Sequence, residues 1–316
     1  MGSAGTNIRV VCPVCRGELS WERISNDCTK CGASFSYENG IPDLIVGERF
    51  DDEDDRARSE YEALSNEHLS RGYLIPTLRR IFGAAARPRV LSLGCGVGMD
   101  IDILTDAGFD IVGIDCGNRS KLWPERRHWQ RLYLANGKNL PFENETFDMV
   151  YCGCVFPHVG VDGDTNRVLP QYREERLRIA SEMARVVKKD GHILVSSPNR
   201  KFPLDLFHGR SPDQPFPRLN PPWSPFLLSS QDYMALFAET GCAGYTMLPV
   251  ANYWGFVRMK QRWKGRVMAF PIETVFNAVS RPSLAFLRDS AVNPWLVMLI
   301  QRSAGSAVGS LKPRGW

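Results

Sequence analysis

A chain of 316 residues, 43% apolar and 23% charged, is long enough for one full core and a small second unit, and its composition excludes a disordered or fibrous protein. Its 39 basic and 35 acidic residues leave a net charge of +4, which four thiolates around one zinc dication would lower to about +2, too weak a balance to imply nucleic acid. No run reaches the roughly 18 apolar residues of a membrane span, and the opening MGSAGTNIRVV lacks the apolar core of a secretion signal.

Residues 12 to 31 read CPVCRGELSWERISNDCTKC, two C-x2-C pairs with a twelve-residue spacer. Cys12, Cys15, Cys28 and Cys31 are therefore predicted to close a tetrahedral shell around a structural zinc ion, with Gly17 and Gly32 where each knuckle must turn. All four positions are filled, which leaves no place for a substrate. The other five cysteines, Cys95, Cys116, Cys152, Cys154 and Cys242, are scattered. An odd, scattered remainder fits free thiols in a reducing cytoplasm. The continuation FSYENGIPDLI resembles a small zinc-ribbon family that activates RNA- and protein-modifying methyltransferases. The resemblance implies a tethered stabilising module over residues 8–47.

Asp51 to Asp55 (DDEDD) reads as a solvated linker or helix start. From Arg56 to Phe82 the pattern is helical, with Tyr61, Leu64, Leu74, Leu78, Ile81 and Phe82 facing inward and Pro76 splitting the stretch in two.

The chain is organised around VLSLGCGVGMDIDILTDAGFDIVGID, from Val90 to Asp115. Strand, glycine turn, helix, strand and terminal acid form the first half of a nucleotide-binding α/β sheet. The glycine order G-x-G-x-G, with Met99 where a third glycine of G-x-G-x-x-G would stand, argues against a dinucleotide. The stretch resembles the class I S-adenosylmethionine (SAM)-dependent methyltransferases, whose first motif reads like VLDLGCGTG; Ser92 stands where that family usually has an acid. The resemblance implies a Rossmann-like, seven-stranded, mostly parallel sheet with helices on both faces. It also implies a SAM site at Ser92, Gly94, Cys95, Gly96, Gly98, Asp115 and Cys116, Asp115 taking the ribose diol.

GNRSKLWPERRHWQR follows, rich in Arg and Trp; base stacking and a solvated helix carrying two buried tryptophans explain it equally well. Two further strands flank Asn136-Gly137-Lys138-Asn139-Leu140-Pro141-Phe142 and Phe147-Asp148-Met149-Val150, close to the family's D-A-x-x-L-P-F and F-D-x-V. Asn136 replaces the acid that reaches the adenine amino group, and its carbonyl can accept the same N–H. Gly137, Leu140 and Cys152 complete the implied cofactor set. His158 is the sharpest candidate for a general base. Residues 171–189 form an amphipathic helix, with Leu177, Ala180, Met183, Ala184 and Val187 at 3-4 spacing. Arg185 to Asn199 resembles the family pattern R-V-L-K-P-G-G-x-L-V-x-x-T-P-N and ends in a fifth strand.

Residues 200–226 then hold seven prolines between 203 and 225, with Phe202, Phe207, Phe216, Trp223 and Phe226. They predict a stiff aromatic loop at the carboxyl end of a central strand, a lid and substrate wall. Asp205 and His208 are its chemically able members, fit to orient or deprotonate an acceptor, or to bond the loop's own backbone. A helix capped by Ser230 and ending at Gly241, a sixth strand, a helical insertion over 251–290 and a last strand over 295–300 complete the reading; the breaks at Pro271, Pro282 and Pro294 favour an insertion packed against the domain over an apolar 265–300 stretch lying on a membrane surface. The expected organisation is a zinc ribbon (8–47), a linker with cofactor-capping helices (48–82) and a methyltransferase domain (83–316). The expected activity is methyl transfer from SAM to a small-molecule acceptor, O-methylation ahead of N-methylation, in secondary or cofactor metabolism. An enzyme acting on tRNA, rRNA or protein, and a non-catalytic SAM-binding scaffold, stay open as alternatives, as does the oligomeric state.

Overall fold

The computed structural model describes residues 8–21, 25–49, 56–163, 165–208, 217–257 and 259–303. The acidic run 51–55 and Phe216 lie outside the described residues. Chain packing divides into two compact units, Met1–Tyr151 with Arg185–Gly191, and Cys152–Ala184 with His192–Trp316.

In the first unit, short antiparallel strands at Leu19–Trp21, Asn26–Cys28 and Ser34–Phe35 carry the cysteine knuckles. This ribbon is hydrogen-bonded to the segments that follow the glycine motif. Val11 N–H donates to the Pro141 carbonyl at 2.9 Å, and Leu44 N–H to the Leu134 carbonyl at 2.8 Å. Helix α1 (Arg56–Leu69) runs through a π turn (Ser70–Leu74) into α2 (Ile75–Phe82). Pro76 does not separate the helices. It sits in the first turn of α2, where no N–H is needed, and the wide turn closes with Ile75 N–H on the Ser70 carbonyl. Leu74 and Leu78 are buried as expected, whereas Leu64 is 46% exposed. Glu62 bonds toward the glycine turn, and a residue two positions on lies about 200° round the helix.

Strand β1 (Arg89–Leu93) and β2 (Asp110–Asp115) pair in parallel, as do β2 and β3 (Leu132–Leu134), and α3 (Met99–Asp106) crosses from β1 to β2. Val90, Leu91, Ile101, Ile111 and Val112 are buried because β1 and β2 are covered on both faces. With β4 (Phe147–Gly153), β5 (Val187–Pro198), β6 (Cys242–Met247) and β7 (Trp295–Arg302), the sheet has seven strands in the order β6-β7-β5-β4-β1-β2-β3. β7 runs antiparallel to both β5 and β6.

The second unit adds α4 (Tyr172–Val186, its last residues belonging to the first unit), α5 (Ser230–Ala238) and α6 (Trp263–Ser280). The cap of α5 is Ser229, not Ser230: its side chain accepts Asp232 N–H while Asp232 accepts Ser229 N–H, a reciprocal capping box. The expected packing of the insertion is partial: Ala269, Phe276 and Val279 of α6 are buried, whereas Trp263, Val267, Met268 and Phe270 are exposed. Arg176, on the apolar side of α4, is 3% exposed and donates to the carbonyls of Val159, Pro225 and Phe226 at 3.2, 2.7 and 3.0 Å. One buried cation thereby fixes the end of the 200–226 loop, and burial lowers its pKa to about 10.

Candidate functional site

The ribbon cysteines converge. Cys15 and Cys28 Sγ atoms are 3.4 Å apart and those of Cys12 and Cys31 3.8 Å, against about 3.8 Å between thiolates in a tetrahedral zinc shell with 2.3 Å bonds. All four are free of disulfides. Gly17 N–H points at Cys15 Sγ and Cys31 N–H at Cys28 Sγ, which favours thiolates. A Cβ at Gly17 would stand 2.7 Å from Lys30 Cβ and 3.1 Å from Cys28 Sγ, so the knuckles close only around glycine. The donor set and spacing fit zinc.

At the end of β1 the glycine turn brings Gly94, Cys95, Gly96 and Gly98 together with Asp115, which ends β2, and Cys116 beside it. Asp115 Oδ2 accepts Gly96 N–H and its Oδ1 accepts Gly117 N–H, both at 2.8 Å. Trp123, fully buried, donates its indole N–H to the Gly96 carbonyl at 2.7 Å. Of the two tryptophans in that stretch Trp123 is buried, and Trp129 is at the surface. Gly96 has φ +52°, and a Cβ there would fall 1.9 Å from Glu62 Oε1. Glu62 also accepts Val97 N–H at 3.3 Å and pairs with Arg119 at 3.0 Å. A carboxylate brought by α1 thus lies over the turn, a residue the motif does not announce.

Ser92 is buried and donates to Asp100 Oδ2 at 2.5 Å. An acid in the first turn of α3 therefore stands beside position 92. Burial raises the Asp100 carboxyl to about 6, against the opposing Ser92 hydrogen bond. Cys95 is buried, and desolvation pushes its thiol well up, away from reactivity. Farther along, Asn136 donates to the Glu48 carbonyl at 2.9 Å and accepts Lys138 N–H at 2.9 Å, which leaves its carbonyl one lone pair. Gly137 and Leu140 are buried in the same loop, and Arg185 holds the Leu140 and Phe142 carbonyls at 3.0 and 2.7 Å.

The second unit gathers the other chemically able residues. Cys152 is buried and its thiol pushed up by desolvation. Two residues on, Cys154 takes φ +55° after β4, with its N–H on the Ser196 carbonyl at 2.7 Å. His158 ends the short turn Phe156–His158. The loop after β5 makes a two-residue ladder, Leu204–Asp205 with Arg218–Leu219, and delivers His208. His208 Nδ1 bonds Asp205 Oδ2 at 2.6 Å, while its Nε2 lies 3.2 Å from His158 Nε2 and 3.5 Å from Cys154 Sγ. Asp205 also accepts the N–H groups of Phe207 and His208 at 3.0 and 3.1 Å. Burial opposes charge on His208, but the Cys154 sulfur and Asp205 outweigh it and raise its pKa to about 10. Asp205 is held below the usual carboxylate range: burial works against this, and the His208 bond prevails. Phe226 closes over the pair, 5.2 Å from the His208 ring. His158, Asp205 and His208 are therefore one cluster, and Cys154 is its unforeseen fourth member. Trp223 of the same loop is 84% exposed.

Residues 91–195 match the family model described as a methyltransferase domain. This stretch is a methyltransferase domain. The matched span opens with the glycine turn and closes in β5. Two curated relatives of the domain, both ubiquinone biosynthesis O-methyltransferases from strains of Aliivibrio fischeri (MJ11 and ATCC 700601 / ES114), are 28% and 27% identical over 150 residues. Those alignments cover 44% of this chain and 54% of each relative, so the chain spans about half the length of the curated relatives it matches. Among solved structures, phosphoethanolamine N-methyltransferase 2 of Haemonchus contortus is 14% identical, with 83% of this chain and 61% of that one covered and a TM-score of 0.44. A SAM-dependent methyltransferase from Aquifex aeolicus is 15% identical, with 61% and 92% covered and a TM-score of 0.41.

Proposed function

We propose that the chain transfers a methyl group from SAM to the oxygen of a small-molecule acceptor. The observation that carries the reading is the glycine turn. Gly96, hydrogen-bonded through its N–H to Asp115 and through its carbonyl to Trp123, has no side chain beneath Glu62, where a single Cβ would collide. Gly94, Gly96 and Gly98 would pass the cofactor's chain, Asp115 its ribose and Asn136 its adenine, with Asp100, held by Ser92, and Glu62 as the acids toward its amino-acid end. Bound there, SAM supplies a methyl carbon already activated by a sulfonium leaving group. The protein's task is to align donor and acceptor and to help the acceptor hydroxyl lose its proton. His158 and His208, the latter oriented by Asp205, are the groups that serve that loss.

The ligand spacing of Cys12, Cys15, Cys28 and Cys31 supports a structural zinc ion, and the backbone bonds from Val11 and Leu44 support a stabilising role for the ribbon over residues 8–47. Residues 48–82 carry the capping helices, and 83–316 the transferase with its 200–226 lid and 251–290 insertion. The names of the curated relatives and the proline- and aromatic-rich lid support a flat, hydroxyl-bearing acceptor over RNA or protein. Radiolabelled SAM incubated with a panel of phenolic, amine and RNA acceptors tests this. Label in an ether linkage is the expected result; label in RNA, or salt-sensitive RNA binding, sends the assignment to a nucleic-acid acceptor.

A further inference from the structure

His208 stands among donor atoms of the kind that bind metals. Its Nδ1 bonds the Asp205 carboxylate, which fixes the ring so that Nε2 is the nitrogen turned toward its neighbours. Nε2 lies 3.2 Å from a second imidazole nitrogen, His158 Nε2, and 3.5 Å from the sulfur of Cys154. The three ligand atoms all lie within 4.8 Å of one another. Two imidazole nitrogens and a thiol sulfur so close together are a donor set that one cation can share.

We propose that Cys154, His158 and His208 are the protein ligands of a second metal site, distinct from the ribbon's, which takes a divalent zinc ion and leaves one coordination position open. Tetrahedral zinc with bonds of about 2.05 Å to nitrogen and 2.3 Å to sulfur sets its ligands about 3.3 Å apart for N–N and about 3.5 Å for S–N. The observed 3.2 and 3.5 Å match these spacings. Among the ribbon cysteines the 3.8 Å pair meets the spacing of two thiolates on one zinc, and the 3.4 Å pair is about 0.4 Å shorter. Asp205, 2% exposed and bonded to His208 Nδ1, is the outer carboxylate that zinc-bound histidines carry. One thiolate and two imidazoles are borderline-soft donors, which select zinc over calcium or magnesium. Three protein ligands rather than four is the arrangement of a working site, whose remaining position takes water or a substrate oxygen. Only the identity of that fourth ligand rests on the methyl-transfer reading: it is the acceptor hydroxyl, and the two histidines then serve its proton loss by holding the metal rather than by taking the proton, which passes to bulk water on coordination as the oxygen becomes the nucleophile.

The test is metal content of the full-length chain after dialysis, by plasma mass spectrometry, beside cobalt titration. The wild type should hold two zinc ions per chain, and Cys154→Ser and His208→Asn one each. The Cys12→Ser/Cys15→Ser double variant should also retain one, and its cobalt form should show the weaker sulfur-to-cobalt band of one thiolate. Asp205→Asn should keep the second site but weaken it by about 10- to 100-fold. Variants are compared only after thermal melting shows them folded, and His158→Gln replaces any that is not. One zinc per wild-type chain overturns the proposal, as does a count of two that survives both Cys154→Ser and His208→Asn. Calorimetry with SAM on the same samples is a separate readout: two metals with no SAM binding would sink the methyl-transfer reading and leave the second site standing.

Discussion

The glycine turn of the first unit and the histidine cluster of the second are built in opposite ways. The turn is a contiguous pentad whose acid, Asp115, ends the next strand, and its partners from farther away in the chain, Trp123 and Glu62, meet it at backbone atoms, so backbone geometry does most of the work. The cluster draws Cys154 and His158 from the end of one strand and Asp205 and His208 from a loop some 50 residues later, so its geometry depends on how that loop is traced. The difference teaches where each should be fragile: the first to an added atom on the backbone, the second to loss of a side chain or of the loop's anchors.

Four substitutions sharpen the contrast. His208→Ala should lower methyl transfer by roughly 10²- to 10⁴-fold, the range for removing proton-transfer assistance, while SAM affinity measured by calorimetry changes less than about twofold, within the scatter of independent sites. Equal loss of both would merge the two regions into one functional element. Gly96→Ala should do the reverse and weaken SAM binding by at least about 30-fold. A left-handed φ costs a non-glycine residue about 1–2 kcal/mol, and the new Cβ must also displace Glu62. Arg176→Met removes three hydrogen bonds from a buried cation to loop carbonyls. It should cost about 3 kcal/mol in urea unfolding, since such bonds to charged groups are worth about 1.5–3 kcal/mol each and a methionine recovers some packing.

The effect at Asp100 is read against pH. Its carboxyl is raised from 3.8 to about 6 in the folded chain, so folding favours the protonated form. That contribution is whole below pH 3.8 and is lost as pH rises through about 6. Asp100→Asn should flatten this segment of the stability–pH profile, a relative change of at most about 3 kcal/mol by pH 7. An unchanged slope between pH 4 and 7 would show that Asp100 is already ionised in the fold.

The same contrast explains how much was legible in the sequence. The ribbon cysteines, the glycine turn, Asp115 and the alternation of strands and helices are short-range patterns, and each lies where its spacing predicts. Glu62 escaped because nothing in α1 records that it packs over Gly96. Asp100 escaped because its bond to Ser92 joins the strand to the helix across the glycine turn, which the spacing of the motif does not record. His158, Asp205 and His208 were each legible as able side chains; their union, and Cys154 among them, is tertiary information. Arg176 breaks the apolar stripe of α4 because it answers to carbonyls of a distant loop. Ser229 rather than Ser230 caps α5 because the choice between adjacent serines is made by which one Asp232 can reach.

The central claim is that the turn at residues 94–98 holds SAM, and isothermal titration of the full chain with S-adenosylhomocysteine tests it most directly. One equivalent bound, with affinity lost in Gly96→Ala and weakened in Asp115→Ala, is the predicted result. No binding, or binding indifferent to both substitutions, would contradict it.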